Sequence, residues 1–202
     1  MRRSKEDSLK TRRSIVLAAR RVFARRGVSQ TSMAHIAAAA GVTRGAIYGH
    51  FRDKDALFLS MREQVRLPLV DVMNEALLHA PGDPLAGVER YLTAVMDAMS
   101  SDAATRDTFH ILTFKCEYVG EIGIDMQRQA ERSAELADKL ERAYRAAARA
   151  GALRKGITPR LAALDTCAFL IGLIRLWLLD GDGTLVRKDA AKVIAAHIDK
   201  LR

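Results

Sequence analysis

The sequence predicts an all-α fold in two parts, and three observations lead to this prediction. The 202 residues include only 4 prolines and 13 glycines, and apolar residues recur at helical spacing along most of the chain. Two short helical segments flank a glycine-containing turn within residues 31–51. Lys and Arg outnumber Asp and Glu by 13 to 4 in residues 1–60, whereas residues 61–202 contain 20 of each kind. A basic N-terminal part is therefore followed by a larger, charge-neutral helical part.

The first helix is predicted from about Lys10 to Arg26. Residues 1–10 are rich in charge and are expected to be loose. Gly27 ends the helix, because glycine tolerates the left-handed conformation that commonly follows a helix. The inward side of this helix is an apolar stripe made of Ile15, Ala18, Ala19 and Val22.

The segment from Thr31 to Phe51 predicts two helices joined by a tight turn. Its first helix has an inward side in which apolar residues fall at i, i+3, i+4 and i+7, namely Met33, Ile36, Ala37 and Ala40. Thr31 is expected to cap this helix, and Gly41 and Val42 to form the turn. Thr43 is expected to cap the second helix, with Ile47 and Phe51 facing inward. Two helices joined by a glycine-containing turn of three to four residues are typical of the DNA-binding helix-turn-helix.

A long fourth helix is predicted next, from a cap at Asp53 to about His79, where the sequence Pro81-Gly82-Asp83-Pro84 interrupts it. Two shorter helices follow, from Leu85 to Ser100 and from Thr105 to about Tyr118. The first of these has an apolar side made of Leu92, Val95, Met96 and Met99.

Three further helices complete the second part. After Gly120 and Gly123, a long helix extends to Gly151, and its apolar residues include Met126, Ala130, Ala137, Leu140, Tyr144 and Ala147. Another begins at Thr158-Pro159, because proline suits the first turn of a helix, and ends at Leu179. The last helix is predicted from about Arg187 to Leu201.

The segment from Leu161 to Leu179 is apolar on almost every side of the predicted helix. Such a helix must be covered on more than one side, and in a chain of this size a second copy of the chain is the simplest cover. We therefore expect a homodimer. Asp165 and Arg175 interrupt the apolar residues, which favours a buried helix over a membrane span, and no membrane partner is expected.

The charge of residues 1–60 is typical of a protein that binds a polyanion, since contacts to phosphate release condensed counterions. The alternative is that clusters such as Arg20-Arg21 and Arg25-Arg26 are only solvated helix faces. Next to the predicted helix-turn-helix, double-stranded DNA binding is the better interpretation. A nucleoid-type DNA-binding protein without an effector is disfavoured, because residues 61–202 are charge-neutral and rich in apolar helices.

Other classes of function find no support in the sequence. It contains no G-x-S-x-G elbow, phosphate-binding loop, G-x-G-x-x-G or H-E-x-x-H motif, so an enzyme is not expected. The five histidines show no metal-binding pairing, and neither a metal nor another cofactor is predicted. Cys116 and Cys167 are expected to be buried reduced thiols. No secretory signal is visible, so a cytoplasmic location is expected.

The residues Thr31 to Phe58 resemble the DNA-binding domain of the tetracycline-repressor (TetR) family of bacterial one-component regulators. The resemblance depends on Gly41, on Thr43 to Gly45, on Tyr48, on His50-Phe51 and on Lys54. In the second part, Pro81 to Leu85 and Phe109 to Ile122 are similar to the branch that represses multidrug efflux pumps, the AcrR-like regulators. One departure is Gly49, where many efflux repressors carry tryptophan, and it affects the expected docking on DNA.

The resemblance implies a homodimeric repressor with a DNA-binding domain in residues 1–55 and an effector-binding and dimerisation domain in residues 56–202. Such a repressor binds a palindromic operator and is released by small lipophilic effectors. The alternative is a repressor of a metabolic operon that a specific metabolite releases. DNA-binding residues implied by the resemblance are Thr31, Ser32, Thr43, Arg44, Gly45, Ala46, Tyr48, His50 and Lys54. Arg44 has the forked donors that suit guanine, and Gly45 and Ala46 permit close approach to the bases.

The effector is expected to contact helices of the second part. By helical position, candidate wall residues are Arg66, Leu92, Val95, Phe109, Thr113, Leu136, Leu140, Cys167, Leu170 and Ile171. Most of them are apolar, which suits a drug-sized effector, although any one of them could equally be ordinary core. Arg66 would favour neutral or anionic effectors if it faces inward, and could instead be solvated.

Overall fold

A computed structural model of the chain describes residues 5–78, 83–116 and 123–202. Within these ranges the chain forms nine α-helices and no strands, which confirms the all-α prediction. The helices are α1 (Lys5–Arg26), α2 (Met33–Ala40), α3 (Arg44–Tyr48), α4 (Lys54–Leu78), α5 (Pro84–Ser101), α6 (Ala103–Phe114), α7 (Gly123–Arg149), α8 (Pro159–Leu179) and α9 (Ala190–Asp199).

Some helix boundaries differ from those predicted. The expectation that the chain is loose up to residue 10 is wrong for residues 5–10, because α1 begins at Lys5. Glu6 and Asp7 lie in its first turn, where negative charge is favourable, and Glu6 pairs with Lys10. The final helix is shorter than predicted. The predicted helix ends near His79 and Tyr118, the break at Pro81-Gly82 and the separator Gly120 lie outside the described residues.

Two compact units make up the chain. One consists of Met1–Leu67 together with Ala103–Ile124, and the other of Pro68–Asp102 together with Asp125–Arg202. The boundary in α4 falls at Pro68, a proline inside the helix that the sequence pattern did not mark as a boundary. The expected division of function between residues 1–55 and 56–202 therefore differs from the division into compact units, and it stays a prediction.

The core of the first unit joins the helix-turn-helix to its supporting helices. Fully buried side chains come from α1, α2, α3, α4 and α6 and include Ile15, Phe23, Ile36, Ile47, Leu57 and Ile111. α6 is also held by the backbone, since the amide of Val28 donates to the carbonyl of Lys115 at 2.9 Å. α6 thus belongs to the unit that carries the helix-turn-helix, although in the sequence it lies after residues 1–55, the predicted DNA-binding domain.

The core of the second unit confirms the predicted apolar stripe of α5 and the C-terminal part of the stripe predicted for α7. The prediction is wrong for Ala130, which is exposed, and the Met126 side chain lies outside the described ones. Leu92, Val95, Met96 and Met99 are buried on α5. Ala137, Leu140, Tyr144 and Ala147 are buried on α7. Asp83 caps α5 by accepting from the amides of Leu85 and Ala86, and Thr158 caps α8 by accepting from the amide of Leu161.

A buried polar network ties α7, α8 and α9 together. The Thr166 hydroxyl lies 2.7 Å from the Tyr144 hydroxyl and 3.0 Å from Nε2 of His197. The Asp165 carboxylate, 4.0 Å from Nδ1 of His197, favours a proton on that nitrogen. Tyr144 then donates to Thr166 and Thr166 donates to Nε2, because a hydroxyl has a single proton. Burial raises the pKa of Tyr144 to about 12, so its phenol keeps the proton that it donates.

One side of α8 is buried and the other is an exposed apolar strip. The buried side includes Ala162, Thr166, Leu170, Leu173 and Trp177. The exposed strip consists of Leu161, Leu164, Ile171, Leu176 and Leu179. By length and composition alone α8 could cross a membrane, but the buried Thr166 and its polar partners give one side of the helix a protein environment. Among the described residues, none covers this strip of α8 enough to bury it.

Candidate nucleic-acid interface

The turn between α2 and α3 has the geometry that the sequence predicts. Gly41 adopts the left-handed conformation, with φ of 66°, and the amide of Val42 donates to the carbonyl of Ala37 at 3.0 Å. Residues with a Cβ are disfavoured at positive φ, which explains glycine at this position. Ile36, Ala37 and Ile47 lie in the core beneath the turn, so the angle between α2 and α3 is fixed by packing.

The start of α2 differs from the prediction that Thr31 caps it. Ser32 is the cap: its hydroxyl accepts from the amide of His35, and Nδ1 of His35 accepts from the amide of Ser32, both at 3.2 Å. Thr31 is buried, and its hydroxyl donates to the carbonyl of Gly27 at 2.7 Å. The prediction that Thr31 caps α2 is therefore wrong, and of the pair Thr31 and Ser32 only Ser32 is exposed for a phosphate contact.

α3 presents a small, polar and open surface. Thr43 caps it as predicted, accepting from the amide of Ala46 at 3.1 Å. Ile47 is buried, whereas Arg44, Gly45 and Tyr48 are exposed, Tyr48 by 48%. A Cβ on Gly45 would meet only the Thr43 hydroxyl oxygen, at 4.0 Å. The fold itself therefore leaves room for a side chain at residue 45. A binding partner that approaches this surface of α3 closely would explain why the residue is glycine.

The start of α4 lies against the loop after α1. Asp53 caps α4, and the amide of Ala56, which donates to its carboxylate at 2.7 Å, holds the pKa of Asp53 below its ordinary value. The Lys54 ammonium donates to the carbonyls of Val28 at 2.9 Å and Ser29 at 3.3 Å. Lys54 therefore has a structural role that the sequence did not reveal, with one of its three donors left for another partner. His50 is half-buried beside these residues in sequence.

Not every arginine of the N-terminal part contributes to a basic surface. Arg13, Arg21, Arg25, Arg26, Arg44 and Arg52 are exposed. Arg20 is buried, so the interpretation of Arg20-Arg21 as a pair on a solvated or phosphate-binding face is wrong for Arg20. Arg12 lies 4.4 Å from the centre of the Phe51 ring and donates to the Ser60 hydroxyl at 3.0 Å, which links α1 to the residues after α3.

Comparison with known families agrees with this arrangement. Residues 15–61 match the bacterial regulatory proteins of the tetR family, and residues 83–202 match the C-terminal region of MAATS-type transcriptional repressors. The chain belongs to the TetR family. It is thus a DNA-binding transcriptional repressor, and α2 and α3 form its helix-turn-helix.

Relatives and solved structures extend the similarity over nearly the whole TetR-family chain. The transcriptional regulator AcrR of Shigella flexneri is 34% identical over 98% of this chain and 92% of its own length. NalD, the secondary repressor of the MexAB-OprM multidrug efflux pump in Pseudomonas aeruginosa, is 36% identical with a TM-score of 0.83, covering 98% of each chain. SmeT of Stenotrophomonas maltophilia, in its complex with triclosan, is 26% identical with a TM-score of 0.82, covering 96% of this chain and 92% of its own.

The ten candidate effector-binding residues of this TetR-family chain fall in both compact units. Leu92, Val95, Leu140 and Leu170 are buried in the second unit, where Leu136 and Cys167 are half-buried. Arg66, Phe109 and Thr113 belong to the first unit, and Arg66 pairs with the Glu63 carboxylate at 2.6 Å. Ile171 is 61% exposed on the apolar strip of α8, so the structure removes it from an interior wall.

The cysteines are free thiols but are less buried than predicted. Cys116 and Cys167 are both half-buried. Burial raises the pKa of the Cys167 thiol, which keeps it protonated and unreactive near neutral pH. In the part of the chain that the structure describes, no cluster of three or more His, Cys, Asp or Glu side chains could hold a metal ion.

Proposed function

We propose that this protein represses a multidrug efflux operon and is released from a palindromic operator by small lipophilic effectors. The observation that carries the proposal is the similarity along the whole chain to NalD, a repressor of a multidrug efflux pump. SmeT, which has the same fold, represses another such pump and binds triclosan. As a regulator of this kind, the protein is expected to act in the bacterial cytoplasm.

Specific DNA contacts are proposed for the exposed side of α3. Arg44 reads a guanine through its two parallel donors, while Gly45 and Ala46 let the helix approach the base edges. Ser32, Thr43, Tyr48 and His50 donate to phosphates, which position the protein without reading sequence. The free donor of Lys54 adds a charged phosphate contact.

A homodimer is proposed to form on the apolar strip of α8. Its five residues are large and apolar, and an exposed strip of this kind marks an interface. A two-fold symmetric dimer presents two recognition helices, and a palindromic operator matches that symmetry. Asp165 and Arg175, which are also exposed on α8, provide polar positions that can orient the two copies.

The effector is proposed to bind among the apolar residues of the second unit. Leu92, Val95, Leu140 and Leu170 offer apolar surface, and Leu136 and Cys167 lie at its edge. Apolar side chains of this kind, with a small number of polar groups, suit a lipophilic molecule better than a hydrophilic metabolite. Coupling of on the order of 1–3 kcal/mol is enough to lower operator affinity 5- to 150-fold.

The proposal is tested by operator binding with and without candidate effectors. DNA from the region upstream of this gene is titrated with the protein, in the presence of triclosan, dyes, antibiotics or plant phenolics, and calorimetry measures the binding of each compound. We expect at least one lipophilic compound to bind and to weaken operator binding. If none binds, or if binding leaves operator affinity unchanged, the multidrug function is refuted and a metabolite-controlled repressor remains.

A further inference from the structure

Arg20 is a buried arginine of the first unit. It is 4% exposed, its Nε donates to the Thr108 hydroxyl at 3.1 Å, and its Nη2 donates to the Gln64 side-chain carbonyl at 3.2 Å. The Thr108 hydroxyl gives its own proton to the carbonyl of Ala104 at 2.7 Å, which leaves a lone pair for Arg20. A guanidinium in such a place is tolerated only because its donors are matched to acceptors, so these bonds fix its position.

Gln64 and Thr108, which accept hydrogen bonds from Arg20, lie on the two segments that continue along the chain into the second unit. Gln64 lies on α4, which crosses the unit boundary at Pro68. Thr108 lies on α6, which begins two residues after the last residue of α5. Arg20 itself stands on α1, whose buried residues pack in the same core as those of α2 and α3. A single side chain therefore joins both connecting segments to the helix that supports the helix-turn-helix.

Pro68 makes the bond to Gln64 more important. Proline has no amide hydrogen, so residue 68 cannot donate to the backbone carbonyl of Gln64, its partner four residues earlier. α4 thus lacks one backbone hydrogen bond at the unit boundary. The Arg20 bond to the side chain of Gln64 falls in the same turn and holds α4 on the side of the first unit.

We propose that Arg20 is a positioning residue for operator binding, which holds α4 and α6 in register on α1 and transmits their displacement to the helix-turn-helix. Its role in induction rests on the proposed release by effectors, whereas its role in DNA affinity does not. The charge pattern of the sequence places Arg20 on a charged surface. Its burial and its bonds to Gln64 and Thr108 instead give it a role inside the first unit, separate from the proposed DNA contacts.

The experiment measures DNA affinity in matched variants. A preferred site is first selected with the wild-type protein from a random-sequence duplex library, and fluorescence anisotropy then gives the Kd at a temperature where circular dichroism shows every variant to be folded. R20M removes the guanidinium hydrogen-bond donors but keeps an unbranched apolar side chain. R21M is the control, because Arg21 is exposed on the same helix and carries the same charge. T108V removes one acceptor with little change of volume.

We expect R20M to bind the selected site roughly 5- to 150-fold more weakly than R21M, the range of an ordinary coupling between sites. T108V is also expected to weaken DNA binding. The double variant R20M/T108V is expected to bind no more weakly than R20M, because R20M already lacks the bond between Arg20 and Thr108 that T108V removes. R20K keeps the charge without the fork and is expected to recover part of the affinity. If folded R20M binds as R21M does, or if folded T108V binds as the wild type does, the proposal is overturned.

A second measurement separates this proposal from the proposed function. Triclosan is added at a concentration where calorimetry shows equal occupancy of wild type and R20M, and the loss of DNA affinity is compared. We expect a smaller loss in R20M, since the bonds that transmit the displacement are already broken; a loss equal to that of the wild type would contradict the role of Arg20 in induction. If triclosan leaves the DNA affinity of the wild-type protein unchanged, that result counts against the proposed function for this compound. The Kd values of the variants without triclosan test the role of Arg20 independently.

Discussion

Replacing Thr166 with valine removes a hydroxyl on which two other buried side chains depend. Thr166 is fully buried, and its hydroxyl is 2.7 Å from that of Tyr144 and 3.0 Å from Nε2 of His197. Valine has nearly the same shape, so the change isolates the hydrogen bonds. It leaves the Tyr144 hydroxyl and the His197 nitrogen in the interior without this partner, and each such group costs about 1–3 kcal/mol. Because His197 keeps a little exposure and can relax, we expect about 2–4 kcal/mol in the free energy of unfolding.

The assay is urea unfolding followed by circular dichroism, at a fixed protein concentration because dissociation of the proposed dimer would contribute to the apparent stability. T166S is the matched control, since it keeps the hydroxyl and loses only a methyl group, at a cost of about 1 kcal/mol. Adding Y144F to T166V removes one of the stranded groups, so the double variant is expected to lose less than the sum of the two single changes. A T166V protein as stable as T166S would refute the network as a source of stability.

Four further predictions follow from the interface and from the second unit. Arg44→Ala is expected to cost about 1–3 kcal/mol at the operator and to relax base preference at one position per half-site; unchanged preference in a binding-site selection would contradict the role of α3. Lys54→Met is expected to reduce the salt slope of DNA binding by about one phosphate contact and also to lower the free energy of unfolding by about 1.5–3 kcal/mol, since two carbonyls lose a charged donor; an unchanged urea midpoint would contradict the structural part. Ile171→Asp is expected to shift the mass seen by light scattering from twice 22.3 kDa toward a single chain, and a dimer that persists would place the subunit contact elsewhere. Burial lowers the pKa of His197, assisted by Lys200 and opposed by Asp165, so the unfolded chain takes up a proton first and stability falls as the pH drops below about 6.5; His197→Gln is expected to flatten that slope in pH-dependent unfolding.

Local sequence signals were sufficient for the helix-turn-helix. Gly41, Thr43 and Ile47 each act through residues within four positions of themselves, in a positive φ, a cap and an inward stripe. Such features depend on short-range geometry, which periodicity and capping rules describe well. The geometry of the helix-turn-helix could therefore be predicted from the amino-acid sequence alone, whereas the DNA contacts of α3 stay a prediction.

The contacts that were missed join residues far apart in the chain. The ammonium of Lys54 binds carbonyls 25 and 26 positions earlier, and Arg20 binds a hydroxyl 88 positions later. No local pattern encodes such partners, although Arg20 does fall on the inward side of α1, between Val16 and Phe23 at helical spacing. This helical spacing is the sequence feature that indicates burial of Arg20, whereas its charge favours the opposite interpretation of an exposed side chain. The prediction that Thr31 caps α2 is wrong for a related reason: either Thr31 or Ser32 can cap a helix, and only the packing of the loop decides between them.

The packing of α6 limits how this regulator can be recombined with others. A chimera that joins residues up to the middle of α4 to a foreign sensor leaves behind the carbonyl that binds the Val28 amide and the hydroxyl that binds Arg20. It also uncovers Ile36, Ile47 and their neighbours where Ile111 now closes the core. A portable DNA-reading module from this chain must therefore carry α6 as a second, separate insert, or receive a substitute that caps the same apolar surface and replaces Arg20 with an uncharged residue.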